Sequence, residues 1–319
     1  MTPINTDTVY DAAVILINYN SSKYTIECVS SILQNTRHDL AYGIVIIDNA
    51  SGEGDFRHLA EHIRQLDDSV PLKLFRSRIN TGFAGGNMMG VQFINAKYYF
   101  FLNNDCRLQN DCIDILYQFC EAHPDTALCS PQLYREDGEQ QPCFDYFPYL
   151  STKLFGLGIL RLSYGKRYIK RKHRYTEAVQ VDVVSGSQMF VRASAFDDIG
   201  GFDTTFFLYC EEEDIAIRLS RAGHNTYLLP EARNTHIGGG STVASFDIRK
   251  EFYISFLYFY RKHFGLVRQQ LLKLILSLRL LRKSFSNPEN FRLAMFVTAG
   301  AHLKHSLKHK QKLQKMLKI

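Results

Sequence analysis

Short hydrophobic runs alternate with amphipathic stretches along the first 230 residues. Val14–Asn18, Ile44–Ile47 and Tyr98–Asn103 are apolar runs typical of strands that are buried on both faces of a sheet. Leu72–Phe75 is a shorter run of the same kind, and residues 26–33 between the first two runs are apolar at helical spacing. Because strands and helices alternate, the pattern predicts an α/β fold with a mostly parallel central sheet flanked by helices.

The same patterns predict the elements that follow. Further strands are expected at 127–133, 179–184, 188–191 and 227–229, and further helices at 55–66, from 80 onwards, after 110 and from 211 to 222. Residues 136–178 differ in character, with two prolines, many aromatic residues and a basic run at 166–174. This basic run is either a solvated loop or a wall that meets an anionic acceptor.

Polar residues collect where the predicted strands end. Asn18, Asp48, Asn80 and Asp105 should lie on one rim, because ligands of open α/β sheets bind beyond the carboxyl ends of the strands. The segment Asn103-Asn104-Asp105 could hold a hard cation against a phosphate. Alternatively, it turns the chain and caps the next helix.

Residues 80–87 form a glycine-rich stretch at the start of a predicted helix. Such a stretch allows close backbone approach to a ligand, and a helix N-terminus favours anions. The stretch is not G-x-G-x-x-G, and no P-loop is present, so a dinucleotide-binding oxidoreductase is weakly supported. A bend that serves packing alone is the alternative.

Two further segments offer chemistry. Glu211-Glu212-Glu213-Asp214 opens a predicted helix, and the helix dipole favours acidic residues at that position. Four neighbouring acids also raise one another's pKa, which suits one of them to act as a proton acceptor. His236 precedes the triple glycine 238–240 and is a candidate metal ligand, with a purely structural role as the alternative.

Composition narrows the class of protein. A hydrophobic share of 45% and a charged share of 22% are ordinary for a globular protein. No apolar run reaches the ~20 residues of a membrane span, and the N-terminus does not resemble a signal peptide. The seven cysteines form no C-x-x-C pair, which indicates reduced thiols in a cytosolic compartment and argues against a zinc site.

Charge separates the chain into an acidic body, 1–248, and a basic extension, 249–319. The extension holds 16 Lys and Arg against two Glu, a balance of +14, whereas the body carries −8. The pattern predicts a leucine-rich basic helix at residues 264–285, a break at Asn287-Pro288 and a second helix at residues 289–317. Residues 264–319 suit an anionic membrane surface; packing on the body or in a homo-oligomer is the alternative. Nucleic-acid binding is not expected, since no recognised motif is present.

Taken together, these segments resemble the family-2 inverting glycosyltransferases of the GT-A fold, and within them the bacterial rhamnosyltransferase-like group. The matching stretches occur in the family's order: 14–20, 46–52, 80–87, 101–105, 185–190, 200–214, 236–241 and, in the extension, 259–265. The resemblance implies a GT-A-like domain at 1–248 that binds a nucleotide sugar.

The resemblance also implies roles for single residues. Asp105 would be the metal-binding end of a D-x-D-type motif, with His236 as a second contact to Mn²⁺ or Mg²⁺. The residues implied to bind the nucleotide sugar are Asn18, Tyr19, Asn20, Asp48, Asn80, Gly82, Asn104 and Asp105, with Tyr19 and Asp48 at the base and ribose. Here Asn103 stands at the first D-x-D position, so one carboxylate is assured.

The catalytic base of the family lies in an acidic pair that aligns with Glu211-Glu212. The family's Asp is replaced here by Glu212, so Glu213 is a substitute candidate. Asp214 and Gly186 would support the site. A base of this kind contributes roughly 10²–10⁴-fold to the rate, and direct attack by the acceptor would invert the anomeric centre.

The expected activity is transfer of rhamnose from dTDP- or UDP-rhamnose to a lipid-linked saccharide in cell-surface polysaccharide synthesis, such as O-antigen. The expected location is cytoplasmic, on the inner face of the cell membrane. Alternatives are transfer of galactofuranose or N-acetylglucosamine, or a non-catalytic nucleotide-sugar-binding scaffold, which the altered base position makes plausible.

Overall fold

A computed structural model of the chain describes residues 4, 7–37, 39–66, 70–164, 168–237 and 245–315. Its strands are β1 (Val9–Asn18), β2 (Tyr42–Asn49), β3 (Leu72–Ser77), β4 (Asn95–Asn103), β5 (Cys106–Leu108), β6 (Thr126–Tyr134), β7 (Phe144–Asp145), β8 (Val179–Gln180), β9 (Val183–Val184), β10 (Gln188–Arg192) and β11 (Asn225–His236). Within the described ranges, nine of these strands form one sheet, and β7 and β9 pair separately.

The helices lie between and after these strands. They are α1 (Ser22–Asn35), α2 (Glu53–Arg64), α3 (Gly82–Gly90), α4 (Cys112–Ala122), α5 (Leu150–Tyr164), α6 (Ala193–Asp198), α7 (Glu211–Arg221), α8 (Phe246–Ser284) and α9 (Glu289–Thr298). Of the helices in the described part of the chain, none is both long enough and apolar enough to cross a bilayer.

The order of strands in the sheet is β3-β2-β1-β4-β10-β6-β11-β5, with β8 added beside β11. Strands β3, β2, β1 and β4 are mutually parallel, and β11 is parallel to β6. Within this nine-stranded sheet of the described residues, the antiparallel pairings are those that β5, β8 and β10 make with their neighbours. The predicted α/β architecture with a mostly parallel sheet flanked by helices is therefore confirmed.

Two hydrophobic cores cover the two faces of this sheet. Neighbouring residues of one strand alternate between them: Ile15 and Phe101 face one core, whereas Leu16 and Phe100 face the other. Helices α1, α2 and α4 pack on the second core, and α3, α6, α7, α8 and α9 on the first. Burial on both faces explains why the central strands are apolar throughout.

The parallel register gathers the strand ends on one rim. Asn18 lies opposite Asp48, and Ile17 lies opposite Asn103. Asp48 in turn lies opposite Arg76 at the end of β3. The polar residues that follow β1, β2 and β4 thus meet at the same edge, as the sequence pattern predicted.

One strand is longer than predicted. The apolar pattern ended at residue 229, yet β11 continues to His236 after a register shift between Leu229 and Arg233. Its last residues pair with the three-residue strand β5, which no apolar pattern announced. The prediction of a strand ending at 229 was wrong because Pro230 and Glu231 interrupt the pattern but are accommodated in the irregular stretch.

The predicted basic extension is helical, but its helices differ from the prediction. Helix α8 begins at Phe246, and Gly265, with φ of 80°, separates its two halves. The division at 248/249 therefore falls inside a helix whose first half is packed in the core, where Phe259 and Tyr260 are fully buried. That division remains a prediction.

The prediction that the second helix of the extension reaches residue 317 is wrong. Helix α9 ends at Thr298, and positive φ angles at Gly300 and Ala301 turn the chain. Glu251 then accepts hydrogen bonds from Ser306 Oγ (2.6 Å) and Leu307 N (2.7 Å), which hold the chain against α8 in short 3₁₀ turns.

Some predicted features lie partly outside the described residues. These are residues 166–167 of the basic run, the stretch 238–241 after His236, and residues 316–319. Residues 168–174 of the basic run contain neither helix nor strand. Helix α5, in the aromatic segment before this run, has no counterpart in the predicted elements.

Candidate active site

Asn18 organises the carboxyl end of β1. Its buried Nδ2 donates to Asp48 Oδ1 (2.9 Å), Ser51 Oγ (3.0 Å) and Asp55 Oδ2 (2.9 Å). Its Oδ1 accepts a hydrogen bond from Thr25 Oγ1 at 2.8 Å. Because the whole amide is engaged, Asn18 holds the loop after β2 against β1. Asp55 was not selected from the sequence, because an acidic residue in the first turn of a helix is common.

Asn104 extends the same buried network to β4. Its Nδ2 donates to Ser21 Oγ at 2.7 Å and to Thr25 Oγ1 at 2.8 Å. The end of β4 is thereby tied to the first turn of α1. This fixes the backbone immediately before Asp105.

The loop after β1 is clamped to the loop after β2. Asn20 adopts a left-handed conformation (φ 52°), which Asn tolerates, and its Oδ1 accepts a hydrogen bond from Gly52 N at 2.7 Å. Its own backbone N donates to Ser51 Oγ at 2.9 Å. Tyr19 beside it remains 39% exposed, so its ring is accessible at the rim.

Asp48 is enclosed rather than open. Its side chain is fully buried, Oδ2 accepts from Ser51 N at 3.3 Å, and Arg76 Nε lies 3.6 Å away. Burial raises the pKa of this carboxyl despite the hydrogen bonds from Ser51 and Asn18. Arg76 was not predicted, because one basic residue at the end of a strand carries no distinctive pattern.

The start of α3 is fixed by a glycine that no other residue could replace. Gly82 has φ of 75°, and a Cβ built on it would lie 2.1 Å from the carbonyl oxygen of Phe207. Asn80 Oδ1 accepts from Gly82 N at 2.9 Å, and Asn49 Nδ2 donates to the Gly82 carbonyl at 3.0 Å. The predicted glycine-rich stretch is thus held at the rim, beside β2.

Asp105 and His236 are brought together by the pairing of β5 with β11. This pairing places His236 opposite Cys106, the residue after Asp105. Asp105 Oδ1 is 3.2 Å from His236 Nε2 and has no hydrogen-bond partner in the described part of the chain, although the carboxyl is buried. A buried carboxylate oxygen without a donor, beside an imidazole, fits a divalent cation.

Cys106 adds a third candidate ligand, which no motif in the sequence singled out. The ligand atoms of Asp105, Cys106 and His236 all lie within 4.8 Å of one another. Burial, together with the nearby charge of Asp105, raises the pKa of the Cys106 thiol well above its ordinary value. Its Sγ also contacts the Ser187 carbonyl at 3.7 Å. The protonated thiol is a poorer ligand for Mn²⁺ or Mg²⁺ than the carboxylate and the imidazole.

The acidic helix α7 begins after a strained turn. Tyr209 and Cys210 have φ of 78° and 70°, in the left-handed region that non-glycine residues rarely adopt. This turn places the four acids 211–214 in the first turn of α7, where the helix dipole favours negative charge.

Three of these acids have raised pKa values. Burial raises the pKa of Glu212, and burial together with the charge of Glu212 raises those of Glu211 and Glu213 well above their ordinary value. Glu211 Oε1 and Glu213 Oε2 are buried without a hydrogen-bond partner among the described residues. A carboxylate with a raised pKa is a stronger base and is better suited to accept a proton from a hydroxyl.

The turn 185–187 lies between the acidic helix and the Asp105 side of the rim. A Cβ on Gly186 would lie 3.2 Å from Glu212 Cδ and 3.3 Å from its Oε2, so Glu212 packs against bare backbone. On the other side, the Ser187 carbonyl accepts from Asn103 N at 2.8 Å. The turn 185–187 therefore contacts both Glu212 and the end of β4, two residues before Asp105.

Asp214 differs from its three neighbours because it is fully paired. It accepts from Arg218 Nε (2.8 Å) and His263 Nε2 (2.7 Å), and Lys262 Nζ lies 2.6 Å away. Although burial alone would raise it, the pKa of Asp214 is lowered by the His263 hydrogen bond and the two cationic charges. Asp214 thus fastens α8 to α7.

Lys153 of α5 also reaches the acidic helix. Its positive charge lowers the pKa of Glu213, opposing the effect of burial, and its Nζ lies 5.1 Å from the ring centre of Phe256. No pattern in the aromatic segment 136–178 could have identified it, because α5 itself was not predicted.

Comparison with known proteins identifies the family. The Glycosyl transferase family 2 model matches residues 13–200, more than half of the chain. Rhamnosyltransferase WbbL of Escherichia coli (strain K12) is 27% identical over 238 residues, which are 70% of this chain and 82% of WbbL. The N-acetylglucosaminyl-diphospho-decaprenol L-rhamnosyltransferase of Mycobacterium tuberculosis (strain ATCC 25618 / H37Rv) is 42% identical over 59 residues, 18% of this chain and 19% of that protein.

Two solved glycosyltransferases share the fold. GalNAc-T7, solved with UDP, GalNAc and Mn²⁺, superposes with a TM-score of 0.59 at 16% identity over 80% of this chain and 48% of its own. Mannosyltransferase PcManGT from Pyrobaculum calidifontis, solved with GDP-Man and Mn²⁺, superposes with a TM-score of 0.55 at 14% identity over 95% of this chain and 84% of its own. The predicted resemblance is therefore confirmed: the chain belongs to glycosyl transferase family 2, and it is a glycosyltransferase with a GT-A fold and rhamnosyltransferases among its relatives.

Proposed function

We propose that the protein is a metal-dependent inverting rhamnosyltransferase that takes rhamnose from dTDP- or UDP-rhamnose to a lipid-linked saccharide. The observation that carries this proposal is the pair formed by Asp105 and His236, joined through the turn 185–187 to the acidic start of α7. The names of the two rhamnosyltransferase relatives support the sugar, and one of these names supports a lipid diphosphate acceptor.

Asp105 and His236 would hold the divalent cation. The unpartnered Asp105 oxygen supports this assignment, as do two fold neighbours solved with Mn²⁺ beside UDP or GDP-Man. When bound, such a cation would neutralise charge on the departing nucleoside diphosphate as a Lewis acid. The protein's own part is to keep both side chains in place through the β5–β11 pairing and the Asn104 network.

Glu212 is the proposed base. Its carboxylate packs against Gly186 in the turn before β10, and its pKa is raised by burial. It would take the proton of the acceptor hydroxyl at a carboxylate oxygen while that hydroxyl attacks the anomeric carbon. Glu211 and Glu213, also with raised pKa values, would keep the negative charge of the cluster low.

A groove in the extension supports the lipid-linked acceptor. Two adjoining cavities of ≈ 440 and ≈ 450 Å³ lie between the halves of α8 and the turn at 299–304, with Leu257 in both linings. Arg261, Lys273 and Lys304 also line them, without an ion pair or hydrogen bond to any described residue, and no acid does. An apolar groove with unpaired cations suits a phosphate-bearing lipid.

The adjoining helix surfaces support membrane contact. In the second half of α8, Leu266, Val267, Leu271, Leu274 and Leu278 are between 46% and 74% exposed, next to basic residues. Helix α5 adds Leu154, Phe155, Ile159 and Leu162, and Arg279 of α8 donates a hydrogen bond to the Lys153 carbonyl. An apolar face bordered by Lys and Arg suits the inner, anionic surface of the cell membrane.

The test is release of nucleoside diphosphate from a panel of nucleotide sugars, with and without Mn²⁺ or Mg²⁺ and with lipid-linked N-acetylglucosamine as acceptor. Asp105→Ala should lose the metal-dependent part of donor binding. Glu212→Gln should bind donor normally while turnover falls about 10²–10⁴-fold. Asp39→Asn, which removes an exposed partner of Arg37 ahead of β2, at the opposite end of that strand from Asp48, is the control.

Each alternative has its own outcome. Release from a galactofuranose or N-acetylglucosamine donor alone would replace rhamnose in the proposal. Binding of nucleotide without any release would favour the non-catalytic scaffold. Metal-dependent binding that survives Asp105→Ala would refute the ligand assignment, and full turnover by Glu212→Gln would move the base to a neighbour.

A further inference from the structure

The segment 311–315 returns from the extension to the rim of the sheet. Gln314 Nε2 donates to the Ala50 carbonyl at 2.6 Å, and its Oε1 accepts from Arg76 Nη2 at 3.0 Å. Its backbone N donates to the Arg78 carbonyl at 2.7 Å, and its carbonyl accepts from Arg78 Nε at 3.0 Å. Four hydrogen bonds therefore fasten one residue of the C-terminal segment to the ends of β2 and β3.

The contact lies at one particular end of the rim. Ala50 stands between Asp48 and Ser51 in the loop after β2, and Arg76 lies 3.6 Å from Asp48 and donates to the Ser51 carbonyl at 2.8 Å. Exposed Tyr19 directly follows the neighbouring strand β1. If the proposed function is correct, this is the end that receives the nucleotide base, and the inference rests on that function in this respect.

The chemistry of the contact is that of a base edge. A primary amide presents an N–H donor beside a carbonyl acceptor, and Gln314 uses both of them, on the Ala50 carbonyl and on Arg76. Uracil and thymine present the same pair, a ring N–H beside a carbonyl. The Ala50 carbonyl and the Arg76 guanidinium could thus bind either Gln314 or a pyrimidine base, but not both at once.

The segment can leave without disturbing its attachment. Its root is held separately, by the bonds from Ser306 and Leu307 to Glu251 and by Lys310 Nζ, 3.3 Å from Asp247. Lys312 and Leu313, by contrast, are exposed. A segment with few buried apolar contacts has a low local free energy of opening.

We propose that Gln314 occupies a base-edge subsite formed by the Ala50 carbonyl and the Arg76 guanidinium, and that binding of a nucleotide sugar displaces the segment 311–315. The segment then acts as a competitor within the same chain. A binding-competent state that is only partly populated lowers the apparent affinity by its fractional population.

The first test is calorimetric titration of the full chain with UDP and with dTDP in the presence of Mn²⁺. Gln314→Ala should tighten nucleotide binding about five-fold, since lost hydrogen bonds shift the segment toward its open state. Gln311→Ala is the matched control, because Gln311 Nε2 donates to the Leu307 carbonyl at 2.9 Å, within the segment and its root. The control should bind nucleotide like the wild type.

The second test is hydrogen exchange of residues 311–315 in the wild type, with and without saturating nucleotide. Exchange should accelerate when nucleotide binds. Unchanged or weaker affinity of Gln314→Ala, or a segment that stays protected in the complex, would overturn the inference while leaving the proposed function intact. Absence of nucleotide binding by wild type and variants alike would overturn the proposed function, and the inference with it.

Discussion

Substitution of Asp214 by Asn probes the contact between the acidic body and the basic extension. The substitution keeps the size of the side chain but removes its charge. Arg218 and Lys262 would then lose a carboxylate that contacts both at 2.6–2.8 Å, and His263 would lose its acceptor at 2.7 Å. These partners come from α7 and α8, so the variant weakens the contact between the two helices.

The expected cost follows from burial. The Asp214 side chain is 1% exposed, and removal of one partner from a buried ion pair costs about 3–5 kcal/mol. Two of the partners keep other acceptors: Lys262 retains Asp203 at 2.7 Å, and Arg218 retains the Ile199 carbonyl at 2.7 Å. We therefore expect the lower end, about 3 kcal/mol of the free energy of unfolding.

Urea unfolding of the full chain at pH 7 measures this cost. The midpoint should fall while the m-value stays constant, which separates a loss of stability from a change in the surface exposed on unfolding. Glu139→Gln, which removes an exposed ion pair with Arg135, should leave the midpoint unchanged and serves as the control.

The dependence on pH has a definite sign. Because folding lowers the pKa of Asp214, its ionised form stabilises the protein above the ordinary carboxyl pKa of about 4. That stabilisation is lost as the pH falls through the lowered pKa of the folded state. The difference between wild type and variant should therefore be constant from pH 5 to 7 and narrow below about pH 4. A cost under 1 kcal/mol at pH 7, or a difference that widens in acid, would refute the reasoning.

Two further predictions concern the turn 185–187 and the apolar face of α8. Gly186→Ala places a methyl group 3.2–3.4 Å from the Glu212 carboxyl, so kcat should fall about ten-fold with little change in the donor KM. Gly158→Ala is the control, because its Cβ would meet no atom within 4 Å, and equal kinetics of the two variants would contradict the assigned contact. The double variant Leu274→Ser/Leu278→Ser should sediment about ten-fold less with anionic liposomes than the wild type. Leu313→Ser is the control, because Leu313 is similarly exposed but lies outside α8, and it should sediment like the wild type. Unaltered sedimentation of the double variant would exclude this face of α8 as the membrane contact.

The central strands and their rim could be predicted from the sequence because the decisive forces are local in the chain. Strands buried under two cores must be apolar throughout, and β1, β2 and β4 show such runs. Polar residues then mark where burial ends, which is how Asn18, Asp48 and Asp105 were found. The acidic start of α7 was visible for the same reason.

Other features depended on partners far away in the chain. The strand β5 has three residues and forms because the end of β11 pairs with it. The extension was predicted to continue as a basic helix to 317, but Glu251 instead binds Ser306 and Leu307 and draws the chain back to α8. Hydrogen bonds of this kind leave no periodic pattern, since each joins two segments that are separately unremarkable.

By itself, the sequence determined a mostly parallel α/β sheet, a polar rim and a basic extension, because hydrophobic spacing and charge are properties of single segments. The glycosyltransferase family was indicated by the resemblance of short motifs in their order along the chain. The tertiary structure alone decided that His236 lies beside Asp105, that Glu212 packs on Gly186, and that Gln314 contacts Ala50. The physical reason is that distances between remote segments are set by strand pairing and by burial of the whole chain, which no local pattern contains.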